Sequence, residues 1–165
     1  MNADSLRALF AYHFALHRRV WECIDHLTDE QFVQPVDYSI GSVRNHMVHL
    51  ASVEQRWLSR VAESPLPDRL NYDDYPTKAA ARAKYDEVEA HFKSYLDGLT
   101  DADLDRPITY ETSRRPEPVT STVWEILLHV VNHGTDHRAQ VLSILHRACA
   151  PTLEQDFMIY LWDQA

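Results

Sequence analysis

The stretch LLHVVNHGTDHRAQV, from Leu127 to Val141, decides how this chain folds and raises the question of what it does. Ile126, Leu127, Val130, Val141, Ile144 and Leu145 recur with the 3.6-residue period of an amphipathic helix. Set among them are three histidines four residues apart, at 129, 133 and 137. Residues at that spacing are offset by about 40° and stand one above the other. Two imidazoles of the ladder can therefore face one ion, or each can be satisfied separately. Measured from the apolar stripe, His137 lies about 50° off the core direction, His133 about 90° and His129 about 130°. The first two border the core, and His129 leans towards solvent.

Working outward, three further segments carry the same period: Leu6 to His26, Ser42 to Val61 and Lys78 to Leu99. The fourth spans Thr122 to Ala148, opened by a Thr122–Glu125 capping box and stopped before Pro151. Gly98 is expected to close the third helix in the left-handed conformation. The segments HLTDEQFVQPV (26–36) and GLTDADLDRPI (98–108) echo one another, each with a threonine suited to cap a one-turn helix. Between 105 and 120 the pattern alternates, which fits a short strand or hairpin. The tail from 151 onward fits a last short helix. The expected fold is all-α: one domain over 1–165, an antiparallel four-helix bundle with a decorated 100–120 connection.

The bulk composition excludes several classes. At 165 residues, with 45% hydrophobic and 25% charged residues, the chain can bury a full core. The net charge of −9 opposes nonspecific attraction to phosphate backbones, so no nucleic-acid partner is expected. No apolar run approaches the ~20 residues of a membrane span, and the first residues do not read as a signal peptide. Cys23 and Cys149 form no CxxC pair, which fits a reducing cytoplasm. HExxH, Glu-x-x-His, a Gly-rich phosphate loop, GxSxG and CxxCH are all missing. Ten histidines are the oddity, against about four for an ordinary chain of this length.

A pair of histidines on one helix cannot by itself enforce a metal site, so a third ligand must come from elsewhere. The second helix offers NHMVHLASVEQRW, with His46 about 60° and His49 about 120° from its apolar stripe. Periodicity alone selects His46.

Three patches nevertheless give the chain a family likeness. HLASVEQRWL places Glu54 five residues and Trp57 eight residues after His49; LLHVVNHGTDHRAQV pairs Asn-His with a second His four on, followed by Arg and Gln; PTLEQDFMIYLW sets an Asp before an apolar Tyr-Leu segment. With weaker agreement in LFAYHFALHRRV and RPITYETS, the whole chain resembles the DinB family of metal-binding four-helix bundles, also called DinB/bacillithiol-transferase-like. The resemblance implies that His49, His133 and His137 hold a divalent ion, zinc or nickel, and so selects His49 over His46. His46 is then a packed or solvent-facing residue. Asp136 and Ala139 depart from the family pattern, where a second His and a Gly are common, and neither removes a ligand.

Three neutral imidazoles leave a coordination position for water or substrate, and an ion so held lowers the pKa of bound water or of a thiol. The resemblance thus implies a metal-dependent enzyme, a thiol S-transferase or hydrolase acting on a small molecule such as a low-molecular-weight thiol. Glu54 is the candidate proton acceptor or partner of a ligand, and Tyr12 and Trp57 are candidate pocket walls. The competing expectation is a non-catalytic metal-binding or vestigial bundle that acts in dimerisation or partner binding. Related bundles commonly pair, which makes a homodimer the expected assembly under either reading.

Overall fold

Each long helix begins where the sequence supplies an oxygen for its first amides. In the computed structural model, which describes residues 1–164, Asn2 caps α1 (Ala3–Ile24), Ser42 caps α3 (Val43–Val61) and Thr77 caps α4 (Lys78–Gly98). Thr122 and Glu125 close the expected capping box on α5 (Val123–Arg147). The two echoing threonines both act as foreseen. Thr28 caps the short α2 (Asp29–Val33) through a box with Gln31, and Thr100 caps a single 3₁₀ turn (Asp101–Asp103) through Asp103. Gly98 departs from expectation. It is the last residue of α4, and Leu99 leaves in extended backbone at φ −71°, ψ 131° to bury its side chain. The left-handed positions past helix ends fall instead on Glu63 and Cys149, after α3 and α5.

The four long helices form the expected bundle, in which α1 packs on α4 and α5, and α3 packs on the same two. Helix directions follow from end-to-end contacts. The start of α1 meets the end of α4, where Arg7 Nε donates to Leu96 O and Ala3 N to Asp101 Oδ1. The start of α4 meets the end of α1 through Lys78 Nζ on Asp25 O. Helices α3 and α5 also run oppositely, with His46 beside His137 and Trp57 beside His129. Helices α3 and α4, however, run the same way, and this refines a simple up-and-down bundle. Segment 62–77 returns along α3, held by Leu70 N on Ser52 Oγ and by an Arg44–Asp73 ion pair, so α4 starts near the end where α3 began.

Strands β1 (Pro107–Thr112) and β2 (Arg115–Thr122) pair antiparallel, from Pro107 opposite Thr122 to Thr112 opposite Arg115, with a register shift between Tyr110 and Thr112. This hairpin is the 100–120 decoration, and Tyr110 lays it edge-on against Trp57 of α3, ring centroids 5.0 Å apart. The tail forms α6 (Phe157–Trp162), capped by Asp156. Apolar burial supplies the driving force: Phe10, Phe14, Trp21, Phe32 and Phe92 are all within 2% of full burial, each contributing about 1.5–3 kcal/mol. Among the described residues no helix is long and apolar enough to cross a membrane.

Candidate metal centre

Helix α5 carries its histidine ladder across the bundle at a graded depth. His137 is buried, His133 half-buried and His129 exposed, the order that the helical wheel gives. Antiparallel packing then sets α3 opposite, and His49 meets both inner rungs. Its ring centroid is 5.3 Å from that of His133 and 4.7 Å from that of His137, and the two α5 rings are 4.4 Å apart. One nitrogen from each of His49, His133 and His137 lies within 4.8 Å of the others. Tetrahedral bonds of ~2.0–2.1 Å to one ion need nitrogens about 3.3 Å apart, so the trio is at most about 1.5 Å wider than that spacing. Two further observations fit an ion. His133 Nδ1 is buried without a hydrogen-bond partner. All three histidines also stay neutral at ordinary pH: burial, then neighbouring imidazoles, push His133 down to about 3, burial and His137 take His49 to about 4, and burial lowers His137. Lone pairs are thus free of competing protons.

His46 is neither solvent-facing nor merely packed. It is fully buried, and its Nδ1 lies 2.9 Å from Nδ1 of His137. Burial and the neighbouring His137 lower its pKa to about 4, so both rings are neutral and one of them must donate. His137 can offer Nε2 to an ion only if its Nδ1–H is the donor. His46 then accepts, leaving its own Nε2–H buried without a partner.

Glu54 is not among the residues that gather at the trio. Five residues on from His49, it is turned about 140° around α3 and is 0% exposed. Its Oε1 accepts from His13 Nε2 at 3.1 Å and its Oε2 from the Tyr85 hydroxyl at 3.1 Å. The other nitrogen of His13 accepts from Arg138 Nη1 at 3.0 Å, and Arg138 also donates to Gln155 Oε1 at 2.7 Å and to Thr135 Oγ1 at 3.1 Å. Since a guanidinium has only donors, His13 is held as the Nε2–H tautomer. Burial keeps the His13 ring neutral despite Glu54, and it raises the Tyr85 hydroxyl well above its usual range. The chain Tyr85–Glu54–His13–Arg138 links all four long helices; its α5 member, Arg138, directly follows His137, and Gly134, which lies against the His13 ring, directly follows His133. His13, Tyr85 and Arg138 were not foreseen. Their sequence signal is Gly134, a glycine inside a helix, where it costs about 1 kcal/mol relative to Ala. A Cβ there would sit 2.3 Å from His13 Cε1.

On the outer side, His49 and His133 open into a cavity of about 1170 Å³ between α3, segment 69–72 and the hairpin. Trp57 lines it as expected, together with Tyr72 and Tyr110. Tyr12 does not. Its hydroxyl donates to Gln155 O at 2.6 Å and its ring packs on Phe157 and Tyr160, so it anchors the tail.

Comparison with known proteins agrees with this architecture. The family model described as the DinB family matches residues 1–164. Protein DinB of Bacillus subtilis (strain 168) is 23% identical, the match covering 97% of this chain and 95% of that one. Among solved structures, a DinB-like protein from Bacillus cereus ATCC 10987 superposes with a TM-score of 0.69 at 18% identity, over 93% of this chain and 98% of that one. A conserved protein from Enterococcus faecalis gives 0.64 at 19% identity, over 86% and 92%. A DinB family member from Shewanella denitrificans gives 0.57 at 16% identity, over 93% and 84%.

Proposed function

The chain belongs to the DinB family, and from that premise we propose that it is a metal-dependent enzyme whose His49, His133 and His137 hold one divalent ion, zinc or nickel. An ion bound there supplies Lewis acidity that lowers the pKa of water or of a thiol, the chemistry of a hydrolase or a thiol S-transferase. The observation that carries the reading is the meeting of three neutral imidazoles from two helices at the wall of an open cavity. A purely structural ion would be closed off by a fourth protein ligand, and among the described residues no fourth His, Cys, Asp or Glu joins the group.

The protein's own residues do the remaining work. His46 orients the His137 ring by accepting from its Nδ1. The His13–Arg138 contact holds α5 one residue after His137, which limits that ligand's positional freedom. Glu54 acts through this brace as a positioning residue. The exposed mouth of the cavity admits a small molecule such as a low-molecular-weight thiol, whose sulfur would lie beside His49 and His133. We place the protein in the cytoplasm, where Cys23 and Cys149, both free, remain reduced.

Elemental analysis of tag-free protein tests the reading. About one ion per chain in the wild type, lost in His49→Ala, supports it and justifies assays with small thiols. Wild-type protein that stays empty after incubation with zinc and with nickel removes it. A second reading is favoured by Met158, Leu161 and Trp162, which α6 exposes at 51%, 39% and 66%: a non-catalytic bundle that pairs through this helix. Sedimentation equilibrium of Trp162→Glu decides it. A wild-type dimer without thiol reactivity that Trp162→Glu dissociates supports this reading; a monomeric wild type, or one that reacts with small thiols, removes it.

A further inference from the structure

Five of the sixteen basic residues, Arg56, Arg60, Arg69, Arg114 and Arg115, line the one cavity onto which His49 and His133 open. In a chain of net charge −9 that is a strong local reversal, and Glu111 is the only acidic residue on the same wall. The reversal is not neutralised from within. Seven other cations of the described residues make carboxylate ion pairs (Arg7, Arg18, Arg44, Arg82, Lys84, Lys93 and Arg106), whereas none of these five does. Arg60 is the most constrained of them. Its guanidinium lies 4.6 Å from the Trp57 ring centroid and 5.5 Å from that of Tyr110, a cation–π clamp that fixes its plane. Its Nε is buried without a hydrogen-bond partner. Burial, then Arg56, push the Arg60 pKa down, so the clustered charge repels itself. On α3, His49, Arg56 and Arg60 share a stripe, at offsets of about −20° and +20° from His49.

We propose that this cavity binds a small molecule carrying at least two anionic groups, carboxylates or phosphates, and that it does so beside the histidine trio. Spread over both banks of the cavity, α3 and the hairpin tip, the guanidinium groups suit separated anionic groups better than one. Planar forks recognise either oxyanion bidentately. The flanking Trp57, Tyr72 and Tyr110 give the rest of the molecule an apolar wall. The assignment deepens the enzyme reading by naming a substrate class. It rests on that reading only for where the reacting group would lie, because anion binding by the arginines needs no metal.

Calorimetric titration of metal-free protein at fixed ionic strength tests it, with tricarballylate, pyrophosphate and acetate as probes. Tricarballylate or pyrophosphate is expected to bind at least tenfold more tightly than acetate, and whichever of the two binds better names the anionic group. Arg60→Gln and Arg69→Gln should each weaken that binding about tenfold or more, while Arg18→Gln, on the far face of α1, leaves it unchanged. His49→Ala should keep it. Absence of binding of both polyanions at 10 mM (about 100-fold above a ~0.1 mM affinity), or affinity indifferent to Arg60 and Arg69, overturns the proposal, as does acetate matching the polyanions. Metal loss in His49→Ala with tricarballylate binding retained shows the two assignments standing separately. Retained polyanion binding in a wild type that never takes up metal leaves the anion site and removes only the metal.

Discussion

Two polar clusters lie on either side of helix α5, and they are built on opposite principles. The inner one, Tyr85–Glu54–His13–Arg138, is sealed, and the carboxylate, both imidazole nitrogens and the guanidinium all have partners. The outer one, the histidine trio with its arginine-lined cavity, leaves His133 Nδ1 and Arg60 Nε without partners. A buried charge is tolerable only when it is paired and hydrogen-bonded, so the closed cluster reads as structure. Unpaired nitrogens at an open wall read as a place for something else to bind. The clusters are interleaved residue by residue, since His133 precedes Gly134 and His137 precedes Arg138. One helical step of about 100° is enough to separate them.

The largest effect on stability therefore comes from the inner cluster. Arg138→Met would leave His13 Nδ1, Gln155 Oε1 and Thr135 Oγ1 without their donor and remove a cation whose charge reaches Glu54, at a cost of about 3–5 kcal/mol, or a fall in Tm of order 10 °C. Glu54→Ala should cost a similar amount. Pairing Arg138→Met with Glu54→Gln should cost less than the sum, because one change relieves the other. Thermal unfolding of the metal-free variants checks this. A wild-type Tm in Arg138→Met would erase the contrast between the clusters.

Gly134→Ala probes the boundary between them. Alanine favours the helix by up to about 1 kcal/mol, but its Cβ would stand 2.3 Å from Cε1 and 2.8 Å from Nδ1 of His13. The ring must move and lose its bond to Arg138. Overpacking of this kind costs about 1–3 kcal/mol, so a net loss is expected, read as a lower urea midpoint at an unchanged slope. A gain would mean that the ring has room to yield.

His46→Phe separates binding from stability most sharply. Phenylalanine keeps the apolar packing and removes the buried Nε2–H that has no partner, so stability should hold or rise. It also removes the acceptor that sets the His137 tautomer. Metal affinity should therefore fall about 10–100-fold, measured by competition with a chromogenic chelator, while saturating ion still loads one site. Equal affinity in His46→Phe would make the His46–His137 contact incidental.

Much of this contrast was legible in the chain, and the missing part has a physical reason. Period and capping chemistry place the four long helices, because an amphipathic stripe and an N-cap oxygen are local facts. Burial along α5 follows the wheel. On α3 the wheel favours His46, the more buried histidine, and the trio takes His49, because a ligand at a cavity wall must sit off the core axis. His13, Tyr85 and Arg138 escaped notice because each looks ordinary on its own helix, and only the bundle's closure makes them neighbours. The arginine cavity was half visible: Arg56 and Arg60 follow His49 at seven and eleven residues, on its own face of α3. Arg114 and Arg115 arrive from a hairpin whose docking no local pattern reveals. The parallel run of α3 and α4 was hidden for the same reason, since it depends on how segment 62–77 folds back.

Acid sensitivity also distinguishes the clusters. His49 and His46 titrate at about 4 and His133 at about 3 in the folded protein, against about 6.5 in the unfolded chain. The unfolded state therefore takes up these protons first as pH falls. Their contribution to stability is intact above about pH 6.5 and drains away between there and pH 3–4. Metal-free wild type should lose Tm steadily across pH 6.5 to 4.5, and His133→Phe should flatten that slope. His13 is also held below its ordinary value, by burial above all, with Glu54 favouring its protonation and Arg138 opposing it, so a slope that persists unchanged in His133→Phe would assign the acid sensitivity to the sealed cluster instead of the open one.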